Sequence, residues 1–108
     1  MRWDEYPKMK PEDIYEGMEL ICIYDDDIND NYTGLLFSLN FFNEYRGNPF
    51  DYDLDITMVD NPDKCSGWLL STINGLNRDT NIFTIRMVPT SWVSKEDLFI
   101  LRLGGILS

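Results

Sequence analysis

The sequence predicts an all-β domain, folded as a small, partly open barrel of five to six antiparallel strands with one or two single helical turns. Three observations carry this. Apolar runs are short and separated by Asn, Asp, Gly and Pro, so the chain turns before any run reaches helical length. The stretch from Phe50 to Asp60 alternates strictly, with Tyr52, Leu54, Ile56 and Met58 on one face and Asp51, Asp53, Asp55 and Thr57 on the other. The chain lacks Ala, the best helix former, and is rich in Ile, Tyr, Phe and Thr, which suit a pleated surface. At 108 residues it is one domain with one core, and partial closure of the sheet hides edges that would otherwise pair with other chains.

The elements follow in order. Residues 1–10 form a flexible N-terminal arm unless Trp3 and Tyr6 dock. Pro11 to Gly17 reads as one helical turn, with proline and acids at its start and glycine at its end. Met18 to Tyr24 is apolar at nearly every position, so it is a strand covered on both sides, and it holds Cys22 as an inert thiol. Asp25 to Gly34 is a loop, because Asx side chains compete with strand pairing. Leu35 to Phe42 is the second strand and the acidic stretch the third. Gly67 to Ile73 reads as the fourth, followed by an Asn74-Gly75 turn that the polar residues 77–81 lengthen. Ile82 to Val88 is the fifth strand, and Pro89 interrupts it. Ser94 to Asp97 forms a turn in which Ser94 caps the backbone near Asp97. Leu98 to Leu103 reads as the last strand. The domain therefore spans residues 11–103, with 104–108 as a tail.

Charge is the second strong signal. The net charge is −10, and it is uneven: residues 1–63 hold 16 acids against 4 bases, whereas residues 64–108 hold 3 against 5. Such a field repels nucleic acid and anionic membranes and accelerates encounter with a basic protein. Along the third strand the carboxylates of Asp51, Asp53 and Asp55 recur roughly every 6.5 to 7 Å, twice the strand rise. With Asp25, Asp26, Asp27 and Asp30 in the early loop they form the candidate partner-binding surface, set against the plain alternative of solvated acids. The loop also invites a calcium reading. Counting from Asp25, Asp27, Asn29 and Asn31 fall at positions 3, 5 and 7, but Asp30 stands where glycine is needed and Leu36 where the bidentate glutamate belongs, so no metal site is assigned.

Catalytic machinery is not legible. The absence of histidine removes the commonest base and metal ligand, no glycine-rich phosphate loop precedes a helix, and no catalytic residue or cofactor is assigned. Neither a signal-peptide pattern nor a membrane-length apolar run is present, which reads as a cytoplasmic protein.

Val88-Pro89-Thr90-Ser91-Trp92-Val93 resembles the proline, polar pair, aromatic, valine signature that closes SH3 domains, where a short 3₁₀ turn leads into the final strand. The early acidic loop and Trp68 in mid-chain are similar too. The motif lies within the last 25 residues or so, and the family's Ala-Leu-Tyr-Asp-Tyr opening is missing. The resemblance implies an SH3-like barrel, with Trp68, Pro89 and Trp92 as a groove for proline-rich basic peptides beside Asp26 and Asp30. From the charge, the expected function is a non-enzymatic inhibitor that docks on a basic surface of a partner, such as a nucleic-acid-binding protein, in the manner of phage inhibitors that mimic nucleic acid or of immunity proteins. The alternatives are the peptide adaptor and a structural or assembly protein.

Overall fold

The architecture comes from a computed structural model that describes residues 1–29, 31–41, 54–61 and 73–108. The strands are β1 (Glu19–Asp25), β2 (Leu36–Phe41), β3 (Leu54–Met58), β4 (Asn77–Asp79) and β5 (Thr84–Pro89); α1 (Ile73–Leu76) is a single turn and α2 (Lys95–Arg102) follows β5. All pairings are antiparallel and the order is β3-β2-β1-β5-β4. Among the described residues β3 and β4 are the edges, so the sheet is open and the all-β class holds.

β1 is the central strand, and its unbroken apolar run has a direct cause: both faces of the sheet are covered. Leu20 and Cys22 join Phe37, Leu39, Leu54, Ile56, Met58, Ile85 and Met87 in one core. Ile21 and Ile23 face the other way and pack with Tyr6, Val88, Leu101 and Leu107. A central strand buried on both sides must be apolar at consecutive positions. On β3, Leu54, Ile56 and Met58 are buried as their alternation requires. The register slips between Cys22 and Tyr24 on the β5 side. The extra residue, Ile23, turns Tyr24 to the side of its partner Arg86, where Trp3 stacks on the Tyr24 ring at 4.0 Å.

Several expectations are corrected. Residues 98–102 belong to an α-helix that Leu103 caps, not to a strand. The Ser94 cap starts it, Asp97 N–H donating to Ser94 Oγ at 3.2 Å. Gly104 ends it with φ +86°, Gly104 N–H bonding Leu101 O and Gly105 N–H bonding Ile100 O. That reciprocal pair is a glycine-closed helix terminus. With caps at both ends the segment satisfies its own backbone and needs no strand partner.

Ile73 belongs to the α1 turn, which also contains Asn74 and Gly75, so the tight hairpin shifts onward. Residues 77–79 are strand, and the loop is 80–83, closed by Thr80 N–H to Phe83 O at 3.0 Å and Phe83 N–H to Thr80 Oγ1 at 3.0 Å. A polar run tolerates strand geometry here because β4 is an edge among the described residues and Arg78 and Asp79 on it are exposed. The remainder of the expected fourth strand, residues 67–72, lies outside the described residues.

The arm, expected to be flexible, is docked through its aromatic side chains. Tyr6 is buried in the second core, Met9 in the first, and Trp3 N–H donates to Leu107 O in the C-terminal tail. The Pro11–Gly17 turn is present as a 3₁₀ turn at Pro11–Asp13, with Gly17 at φ +84°. No described helix is long and apolar enough to cross a membrane.

Candidate functional site

The β1 to β2 loop is built by its own carboxylates. Asp25 closes β1, and it is only 4% exposed. Its Oδ1 accepts Asp27 N–H and its Oδ2 accepts Tyr32 N–H, both at 3.0 Å, while Asn31 Nδ2 donates to its carbonyl at 2.8 Å. Asp25 is thereby corrected from a docking residue to the internal brace of the loop. A charged acceptor that satisfies two backbone donors is worth more inside than out.

Asp26 is exposed yet anchored. Its Oδ2 accepts Thr84 N–H at 2.9 Å, and its own N–H donates to Thr84 O at 3.2 Å, extending the β1–β5 ladder by one step. Asp27 is half-buried and accepts Asn29 N–H at 2.9 Å. The loop is therefore held rather than free, and it presents Asp26 in a fixed position. Among the described residues no group of three His, Cys, Asp or Glu could hold a metal ion.

The third-strand acids divide. Asp51 and Asp53, like Asp30, lie outside the described residues. Asp55 stands on β3 in register with Asn40 of β2. Thr57, Ser38 and the exposed Glu19 follow one another across β3, β2 and β1, on the sheet face opposite Leu54 and Ile56.

The peptide-groove residues are placed otherwise than the resemblance implied. Pro89 is buried in register with Leu20 and cannot offer its ring to a ligand. The residues after it do form a 3₁₀ turn, Thr90–Trp92, but it leads into α2 in place of a strand. Trp92 is half-buried and packs against both cores. Trp68 is outside the described residues.

A polar cluster that sequence reading did not single out lies on the second face. Asp97, buried on α2, accepts Tyr6 OH at 2.9 Å and lies 3.3 Å from the α-amino group of Met1. Burial, reinforced by the carboxylate, pushes the Tyr6 hydroxyl up to about 12. Arg86, 8% exposed, donates to Tyr6 O at 3.4 Å, lies 3.6 Å from Asp79 and sits over the Trp3 ring at 5.7 Å. Its Nε, and both polar atoms of the side chain of its cross-strand neighbour Asn77, have no hydrogen-bond partner among the described residues. The sequence signal was Arg86 at an even position of an otherwise apolar strand. Cys22 is fully buried, and desolvation raises its thiol far above the ordinary value, so it stays protonated and inert.

Among the described residues Arg2, Arg86 and Arg102 are the side-chain cations held in ion pairs. Arg102 forms a two-pronged pair with Asp60 at 3.0 and 3.2 Å, and Arg2 bonds Asp4 at 3.1 Å. Compared with known proteins, the chain matches no family model, no curated protein and no solved structure.

Proposed function

We propose that the chain is a non-enzymatic, acidic protein-binding module that docks on a basic surface of a partner and occludes it, the partner being of nucleic-acid-binding type. This is the physical profile of a phage inhibitor or an immunity protein. The observation that carries the reading is the concentration of charge, 16 acids against 4 bases in residues 1–63. The placement of Asp26 on a braced loop supports it, because a preformed anionic surface loses little conformational entropy on binding. The ion pairs of Arg2 and Arg102 support it too, since each is made within the molecule and leaves the excess acids to act outward.

Capture from extracts of the native host tests it, using the wild-type chain and a variant with Asp26, Asp51, Asp53 and Asp55 changed to Asn. Basic proteins should be retained at about 0.15 M salt and released towards about 1 M, where the screening length falls to about 3 Å. The variant should retain them at least tenfold less while still unfolding cooperatively at no lower a temperature, since removing four negative charges relieves repulsion within the chain. Equal, salt-insensitive capture by both proteins would overturn the reading.

A further inference from the structure

Two isoleucines stand almost wholly in water, Ile28 at 92% and Ile82 at 93% exposure. Each stands at the tip of a turn, Asp-Asp-Asp-Ile-Asn in one and Thr-Asn-Ile-Phe in the other, where Phe83 packs on the core and Ile82 does not. The topology brings them to one end of the sheet. Asp25 opposes Ile85 and Asp26 exchanges hydrogen bonds with Thr84, so two further steps along each chain reach Ile28 and Ile82. Both turns are fixed by side chains other than the isoleucines: Asp25 and Asp27 brace the first, Thr80 the second. Nothing in the fold requires a β-branched apolar residue at either tip, where polar turn formers are the usual choice. The surrounding charge is negative, with Asp26 and Asp79 exposed and Asp27 half-exposed against Arg78 on β4.

We infer that Ile28 and Ile82 are the apolar anchors of the docking surface, and that its occupant is a basic, amphipathic segment of a partner protein whose Lys or Arg residues ring an apolar patch. This deepens the acidic-docking reading and rests on it. Apolar anchors on preformed turns inside a charged rim are the usual anatomy of a binding hot spot. The charge selects a basic occupant. A second apolar patch, Phe99, Leu103 and Ile106 on α2 and the tail, lacks that selectivity, since Arg102 there is matched by Asp60.

The test is an amide chemical-shift titration with a Lys/Leu amphipathic peptide and its Lys/Ser analogue, on the wild-type chain and on I28S/I82S. Shifts should concentrate at residues 26–29 and 80–84. Affinity should fall by about tenfold or more for the double variant, and likewise for the serine analogue on the wild type, about the effect of withdrawing one or two buried aliphatic groups. The double variant should melt like the wild type, since neither side chain is buried. Salt-dependent binding that ignores the isoleucines would overturn the anchor assignment and leave acidic docking standing, whereas salt-insensitive shifts confined to residues 98–106 would overturn both. Absence of binding by either peptide would overturn both.

Discussion

Tyr6 shows how one side chain fastens a terminal segment. Its ring is buried in the second core and its hydroxyl donates to Asp97, itself buried on α2, so the arm, the sheet and the helix meet at one hydrogen bond. The pKa rises from 10.0 to about 12, chiefly because burial disfavours the phenolate and then because Asp97 accepts its proton. A folded-state pKa above the unfolded value contributes stability that is fully present below about pH 10 and is lost as pH rises towards 12. Equilibrium unfolding should therefore show stability falling across that window, less steeply in Tyr6→Phe. Phenolate absorbance should show a late-titrating component in the folded wild type that Tyr6→Phe lacks; a variant with the same alkaline slope would remove Tyr6 as its source. The same residue-scale logic separates Asp25 from Asp26. Adjacent and chemically identical, they have opposite fates because strand alternation turns one inward and leaves the next at the surface.

At the scale of elements, α2 is held by its caps and by one close approach. Arg102 Nη1 donates to Gly34 O at 2.9 Å, and a Cβ built on Gly34 would overlap the Leu101 carbonyl. Gly34 also has φ +86°, which side chains rarely adopt. Gly34→Ala should cost at least about 2 kcal/mol, from the left-handed backbone together with the displacement of α2. Ser94→Ala should cost about 1 kcal/mol through loss of the cap alone. Denaturant unfolding distinguishes the two, and equal costs would mean that Gly34 does not set the seat of the helix. Leu98 and Leu101 give α2 its inward face, while Phe99 and Leu103 remain 66% and 72% exposed. The apolar pattern of residues 98–103 is therefore broader than the buried stripe.

For the whole molecule, electrostatics oppose folding as well as favouring encounter. A net charge of −10 on 108 residues means that folding gathers like charges. Screening relieves this, so the melting temperature at pH 7 should rise by several degrees between about 0.01 M and about 0.5 M sodium chloride, as the screening length drops from about 30 Å to less than half of that. A melting temperature that falls over this range would mean that ion pairs such as Arg102–Asp60 outweigh the repulsion. Opposite salt responses, rising for stability and falling for partner binding, would both trace to the same excess of acids.

The strands were legible wherever packing is symmetrical with local pattern. β1 shows its central place by consecutive apolar residues, β3 by strict alternation, and the Ser94 cap by its residue type. The fate of residues 95–105 was open to a better reading: Ser94 with Asp97 three residues on, then Gly104-Gly105, is a start and stop signal for a helix, but Leu-Phe-Ile-Leu between them serves strand and helix equally. The docked arm was readable only as a possibility carried by Trp3 and Tyr6, and the edge position of β4 was hidden because a polar run looks the same in a loop. By itself the sequence determined the β class, the central strand and the sign of the surface, because periodicity and charge are properties of neighbours along the chain. Only the tertiary structure decided that Asp25 turns inward, that Pro89 is covered, and that the turns carrying Ile28 and Ile82 lie at one end of the sheet, because those outcomes depend on what residues distant in sequence place beside each one.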